Sequence, residues 1–226
     1  MGGLQATAAA VAAEIGGGDW RDYVRVWGEI NCEHPLTSAL KQMPCVHYSY
    51  SVQQEYEEAV RRQDAEGNWQ TETQRGSETL SRYQQSVPFM LTDPSGQVWV
   101  NPEQAEIETV EVVNEFQAGE PAEGLLAMGG FRRSLGDPVE GRRVLGYRYR
   151  ESLLPVDRPV LVVGAASDRK GTVEITKPLD NRKFIISLKS HEALASSSDT
   201  VVERTFWATV GFALVGALLV LLGWLL

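Results

Sequence analysis

Apolar residues recur at every second position through much of the middle of the chain. In "YVRVWGEINC", Val24, Val26, Gly28, Ile30 and Cys32 fall on one side, and Arg25, Trp27, Glu29 and Asn31 on the other. This period of two predicts a half-buried strand. "CVHYSYSVQQEY" repeats the pattern, with Val46, Tyr48, Tyr50 and Val52 sharing a side. "VPFML" and "QVWV" flank Asp93-Pro94-Ser95-Gly96, a turn signal that predicts a hairpin. "EIETVEVV" (106–113) and "PVLVVGAA" (159–166) read as further strands, and "GTVEIT" and "KFIIS" as two more around Pro178-Leu179-Asp180-Asn181. Helical signals are few. Leu4 to Ile15 forms a short apolar stretch broken by Gly16-Gly17-Gly18, and a short piece is expected over Pro121 to Met128. Another starts at Ser190 as N-cap with Glu192 in its first turn. The expected fold is mainly β, barrel- or sandwich-like, with a C-terminal helix continuing into a transmembrane helix.

That last element rests on "FWATVGFALVGALLVLLGWLL", residues 206–226, which carries no charge. At 1.5 Å per residue such a helix is about 30 Å long, the thickness of a bilayer's hydrocarbon core. Trp207 and Trp224 stand near its ends, where indole rings favour the interface. Its glycines lack the GxxxG spacing of dimerising spans. The organisation read from the pattern is a short helix and glycine linker (1–18), a β-rich domain (19–188), a juxtamembrane helix (189–205) and a span (206–226). Arg204 is offset by Glu203 and Asp199, so charge does not assign the side of the membrane on which the β-domain lies.

The chain has 226 residues and a net charge of −9, which excludes nucleic acid as the main partner because duplex binding needs a basic face. Its two cysteines define no disulfide framework. Both, with two of the three histidines, fall in "INCEHPLTSALKQMPCVHYSYSV" as Cys32-x-His34 and Cys45-x-His47. Thiolate and imidazole suit zinc, but structural zinc sites usually space a ligand pair by two to four residues at a knuckle. Cys32 also continues the apolar face of Val24, Val26 and Ile30, so core packing is the favoured reading for the four. No Walker or Rossmann loop, GxSxG elbow or HExxH pair is present, and no cofactor or catalytic residue is assigned. "RRSLGDPVEGRRVLGYRYR" (132–150) carries Arg132, Arg133, Arg142, Arg143, Arg148 and Arg150 against Asp137 and Glu140. Two readings stay open for it: contact with anionic lipid or an acidic partner, and a solvated hairpin loop whose arginines pair with the abundant glutamates.

"PLTSALKQMPCVHYSY", "VPFMLTDPSGQVWVNPEQA", "YRESLLPVDRPVLVVGAA" and "KFIISLKSHEALASS", in that order before a terminal apolar segment, resemble the GIDE domain family over about residues 20 to 226. That family includes membrane-bound RING-type E3 ubiquitin ligases of mitochondria and chloroplasts, together with prokaryotic relatives. The resemblance implies a domain lying beside a membrane, and Pro44-Cys45-Val46-x-Tyr48 matches the family pattern, which implies a structural place for Cys45. The ligases end in a zinc-binding RING finger that recruits the ubiquitin-charged E2 enzyme, and no such cysteine array stands in this sequence. The expected function is a membrane-anchored, non-enzymatic β-domain binding an unidentified protein or lipid at the bilayer surface. The alternative is E3 ubiquitin transfer.

Overall fold

Strongly apolar alternations build one of the chain's two main sheets, and longer, more polar segments build most of the other. The computed structural model describes residues 21–65, 67–137, 139–167 and 173–188. In chain order the first strands are β1 (Arg21–Asn31), β2 (Leu36–Thr37), β3 (Pro44–Gln63), β4 (Trp69–Ser86), β5 (Phe89–Asp93), β6 (Gly96–Val100), β7 (Glu106–Ile107) and β8 (Val110–Ala118). After a 3-10 turn at Ala122–Gly124 come β9 (Leu125–Met128), β10 (Phe131–Ser134), β11 (Arg142–Pro155), β12 (Pro159–Ser167), β13 (Glu174–Thr176) and β14 (Ile185–Ser187). The helix expected over Pro121 to Met128 is this turn followed by a strand. Leu126 and Met128 point inward while Leu125 and Ala127 are exposed, a period of two that favours a strand. The stretches Leu4 to Ile15, Ser190 onward and 206–226 lie outside the described residues. Among those described, no helix is long and apolar enough to cross a membrane.

The first sheet closes on itself. Strands pair in the order β1-β5-β6-β13-β12, and β12 pairs back with β1. Closure removes the open edges that a small sheet would otherwise expose. Val24, Val26, Ile30, Phe89, Leu91, Val98, Val100, Val160, Val162 and Ile175 fill the interior, all buried. The hairpin at Asp93–Gly96 forms as expected, with Asp93 Oδ1 accepting from the Ser95 and Gly96 amides. The strands around Pro178–Asn181 do not pair with each other. β13 and β14 instead lie end to end along one edge of β12, opposite Ala165–Ser167 and Leu161–Val163 respectively.

The second sheet is a ladder of long antiparallel strands in the order β4-β3-β11-β8, with β2 beside the start of β3. Val46 of β3 and Leu154 of β11 are buried in the barrel's core, which joins the two sheets. Directly opposite residues share a face. Tyr48, Tyr50 and Val52 therefore point the same way as Tyr83 and Tyr149, and Phe131 of the β9–β10 hairpin covers them, 5.6 Å from the Tyr50 ring and 6.4 Å from Tyr149. The turn of that hairpin docks on residues 38–41. Gly129 has φ 54°, and a Cβ there would lie 2.1 Å from the Leu40 carbonyl oxygen, so only glycine fits.

One charged side chain holds this cover in place. Glu151 is fully buried. Its Oε1 accepts from the Leu40 amide (2.7 Å), and its Oε2 accepts from the Lys41 amide (2.7 Å) and from Ser38 Oγ (3.0 Å). Burying a carboxylate is tolerable only with bonds of this kind.

β3 and β4 run past the rest of the sheet. β11 starts at Arg142, opposite Glu58, so the pairs from Ala59↔Thr73 to Gln63↔Trp69 form a two-stranded arm about 17 Å long at the usual rise per residue. Asp64 closes its turn, taking the Asn68 amide on Oδ1 at 2.8 Å. At the arm's base a close approach fixes Gly76: the Tyr56 ring lies over it, 2.6 Å from where a Cβ would stand, and the Arg142 guanidinium covers the same ring at 4.0 Å.

Candidate functional site

The face of the second sheet turned away from the tyrosines is polar and open. His47, Ser49 and Ser51 of β3 stand on it, opposite Ser86, Gln84 and Arg82 of β4. Ser152 and Arg150 of β11 continue the rows across Ser49 and Ser51. Where this face meets the loop between β6 and β7, a trough of about 750 Å³ opens, lined by His47, Ser49, Gln84, Ser86, Asn101 and Gln104 among others. A smaller recess of about 310 Å³ shares Ser49 and Gln84 with it and ends at Arg82 and Arg150. Together they offer hydroxyls, amides, one imidazole, two guanidinium groups and the carboxylates of Glu103 and Glu111, a surface suited to hydrogen bonding with a polar ligand.

His47 Nδ1 shares a hydrogen bond with Ser86 Oγ at 2.7 Å, and burial lowers its pKa below the ordinary value, favouring the neutral ring. Cys45 does not share this face, although two residues of regular strand would put it there. A register shift between Leu154 and Pro155 falls beside it, and Cys45 packs with Tyr48 and Leu153 instead. Burial, with a contribution from the Glu151 charge, raises its thiol pKa to about 11. A thiol so protonated is a poor nucleophile and metal ligand at neutral pH. Cys32 is partly buried against the barrel core, with Sγ 3.8 Å from the Pro88 carbonyl oxygen, while His34 is exposed. The four therefore form no chelating set, and among the described residues no group of three or more His, Cys, Asp or Glu side chains is placed to hold a metal ion.

The six arginines of residues 132–150 do not form one patch. Arg132 donates to the Gly129 and Phe131 carbonyls, and Arg133 to the Leu80 carbonyl on β4. On β11, Arg142 bonds Glu58 (3.1 Å) and Glu78 (2.9 Å), Arg143 bonds Glu57, and Arg148 bonds Glu55 at 2.6 Å. Alone of the six, the Arg150 side chain makes no hydrogen bond or ion pair among the described residues, and the structure brings to it Arg82. Nothing in the sequence singles out Arg82, because β4 is polar on both sides. The usable signal is indirect: between the turn residues 64–68 and Pro88 the chain contains no breaker but Gly76, while Thr71, Thr73, Thr79 and Tyr83 favour a strand.

A protein-family model described as GIDE, E3 ubiquitin ligase, matches residues 57–222. The chain belongs to the GIDE family. Its match begins inside β3 and takes in the sheet's polar face from β4 onward together with most of the barrel. Among curated proteins, this GIDE chain is 26% identical over 200 residues to E3 ubiquitin-protein ligase SPL1 of Arabidopsis thaliana. The alignment covers 87% of the chain and 54% of that protein, so the chain spans about half the length of the relative. No solved structure matches it.

Proposed function

We propose that this GIDE chain is a membrane-anchored recognition module, whose β-domain binds a protein or lipid partner at the bilayer surface and performs no chemistry of its own. The observation that carries the reading is the open polar trough on the second sheet, with donors and acceptors suited to holding a ligand. Cys45 packs with Tyr48 and Leu153 away from the trough, and its thiol, with a pKa raised to about 11, is a poor nucleophile. The anchor is proposed from the uncharged run 206–226, long enough to span.

Ubiquitin transfer is the competing reading, favoured by the similarity to an E3 ligase over about half of that protein's length. Reconstitution with E1, a panel of E2 enzymes and ubiquitin separates the two. The module reading predicts no chains above the level seen without the protein. Chain formation that depends on it would replace this reading with the enzymatic one.

A further inference from the structure

Arg82 and Arg150 both stand opposite Ser51, one on each neighbouring strand. Strand spacing puts their Cα atoms about 10 Å apart with both side chains on the same face, close enough for two long guanidinium arms to converge on one ligand. The arginines around them are already neutralised: Arg148 by Glu55, Arg142 by Glu58 and Glu78, and Arg75 and Arg143 by Glu57. Neither the Arg82 nor the Arg150 side chain makes a hydrogen bond or ion pair among the described residues. Ser49, Ser51 and Ser152 line the recess beside them, and Glu111, its one acidic side chain, accepts from Asn114 Nδ2 at 3.0 Å. Two cations against one anion leave the recess positive in a chain of net charge −9.

From this geometry we infer that the recess is a subsite for an anionic side chain, phosphoserine foremost, on an extended peptide. The phosphate is held between Arg82 and Arg150, where planar guanidinium groups match its oxygens. The peptide backbone continues past Ser49 and Gln84, which line both the recess and the larger trough, toward His47. Amide and hydroxyl groups along that path complement a peptide backbone rather than an acyl chain, which favours a peptide over a lipid headgroup as the source of the anion. The inference rests on the recognition-module reading and gives it a ligand class.

The test is fluorescence anisotropy of the full chain in neutral detergent with three short labelled peptides, identical except for a central phosphoserine, glutamate or serine. Phosphoserine is expected to bind about tenfold or more tightly than serine, with glutamate between, and rising salt to narrow the gap. The R82Q/R150Q double variant should lose the preference, and S51D, which sets a carboxylate between the arginines, should lose it too. R143Q, whose arginine already pairs with Glu57, should keep it. No preference in the unmodified chain, or one that survives R82Q/R150Q, overturns the site. So does a parallel flotation series in which R82Q/R150Q loses binding to phosphatidylserine vesicles while no peptide binds. Protein-dependent ubiquitin chains would overturn the module reading, whereas a missing phosphoserine preference removes only this subsite.

Discussion

The barrel and the long sheet are made of the same element and held by different physics. The barrel's interior is almost wholly aliphatic, with Phe89 and Phe184 its aromatic members. Its stability comes from removing apolar surface from water, which needs no particular geometry beyond close packing. The sheet is held by a row of tyrosines, a covering hairpin and one buried glutamate, each of which works only in its own register. A small closed barrel filled with aliphatic side chains leaves little interior for polar chemistry. The ladder has a face to spare, and that is where Arg82, Arg150, Ser49 and His47 stand.

Glu151→Ala should separate the two regions most sharply. It strands the buried Leu40 amide and Ser38 hydroxyl, at roughly 1–3 kcal/mol for each, and leaves the part-buried Lys41 amide to water, so a loss of about 2–6 kcal/mol is expected in denaturant melts. Hydrogen exchange should show the loss first at residues 38–41 and in β9 and β10, with β1, β5 and β12 still protected. Equal loss in the barrel would mean that the regions are one cooperative unit. Gly76→Val comes next. The new side chain meets the Tyr56 ring, and overpacking of this kind costs about 1–3 kcal/mol. The arm beyond Glu58 should become sensitive to protease while the barrel's thermal transition is little moved.

Smaller effects sharpen the contrast. The Tyr149 hydroxyl is buried without a hydrogen-bond partner among the described residues, so Tyr149→Phe should be neutral or stabilising by up to about 1 kcal/mol. A clear loss would show that the hydroxyl is bonded in solution. His47 supplies a pH dependence. Its folded pKa lies below the ordinary 6.5, so below that value the unfolded chain takes up the proton first. Its contribution is fully present above about pH 6.5 and declines as the pH falls toward the folded value. His47→Gln should flatten the stability curve in that window, and an unchanged slope would assign the dependence to another group.

The same difference decided what could be read from the sequence. Val24, Val26 and Ile30, and the pairing of "VPFML" with "QVWV", announce the barrel because every second side chain enters a core. The tyrosine side of β3 was legible for the same reason, apart from Val46, which enters the barrel instead. β4 was not, because an edge strand exposed on both faces has no reason to alternate. β11 was hidden by its arginines, which read as a loop and are strand residues paired across to β3. The separation of Cys45 from His47 depends on a register shift, and a one-residue irregularity leaves no mark in a hydropathy pattern. Composition drew attention to the arginine-rich segment. Only pairing across three strands picks out Arg150 and adds Arg82 from another part of the chain.

The central claim is that the polar face of the long sheet binds and the barrel supports it. Amide chemical-shift mapping of the full chain in lipid nanodiscs, titrated with the phosphoserine peptide, tests this most directly. The account predicts shifts at Ser49, Ser51, Arg82, Gln84, Arg150 and Ser152 with β1, β5 and β12 silent. Shifts centred on the barrel strands, or none at saturating peptide, would contradict it.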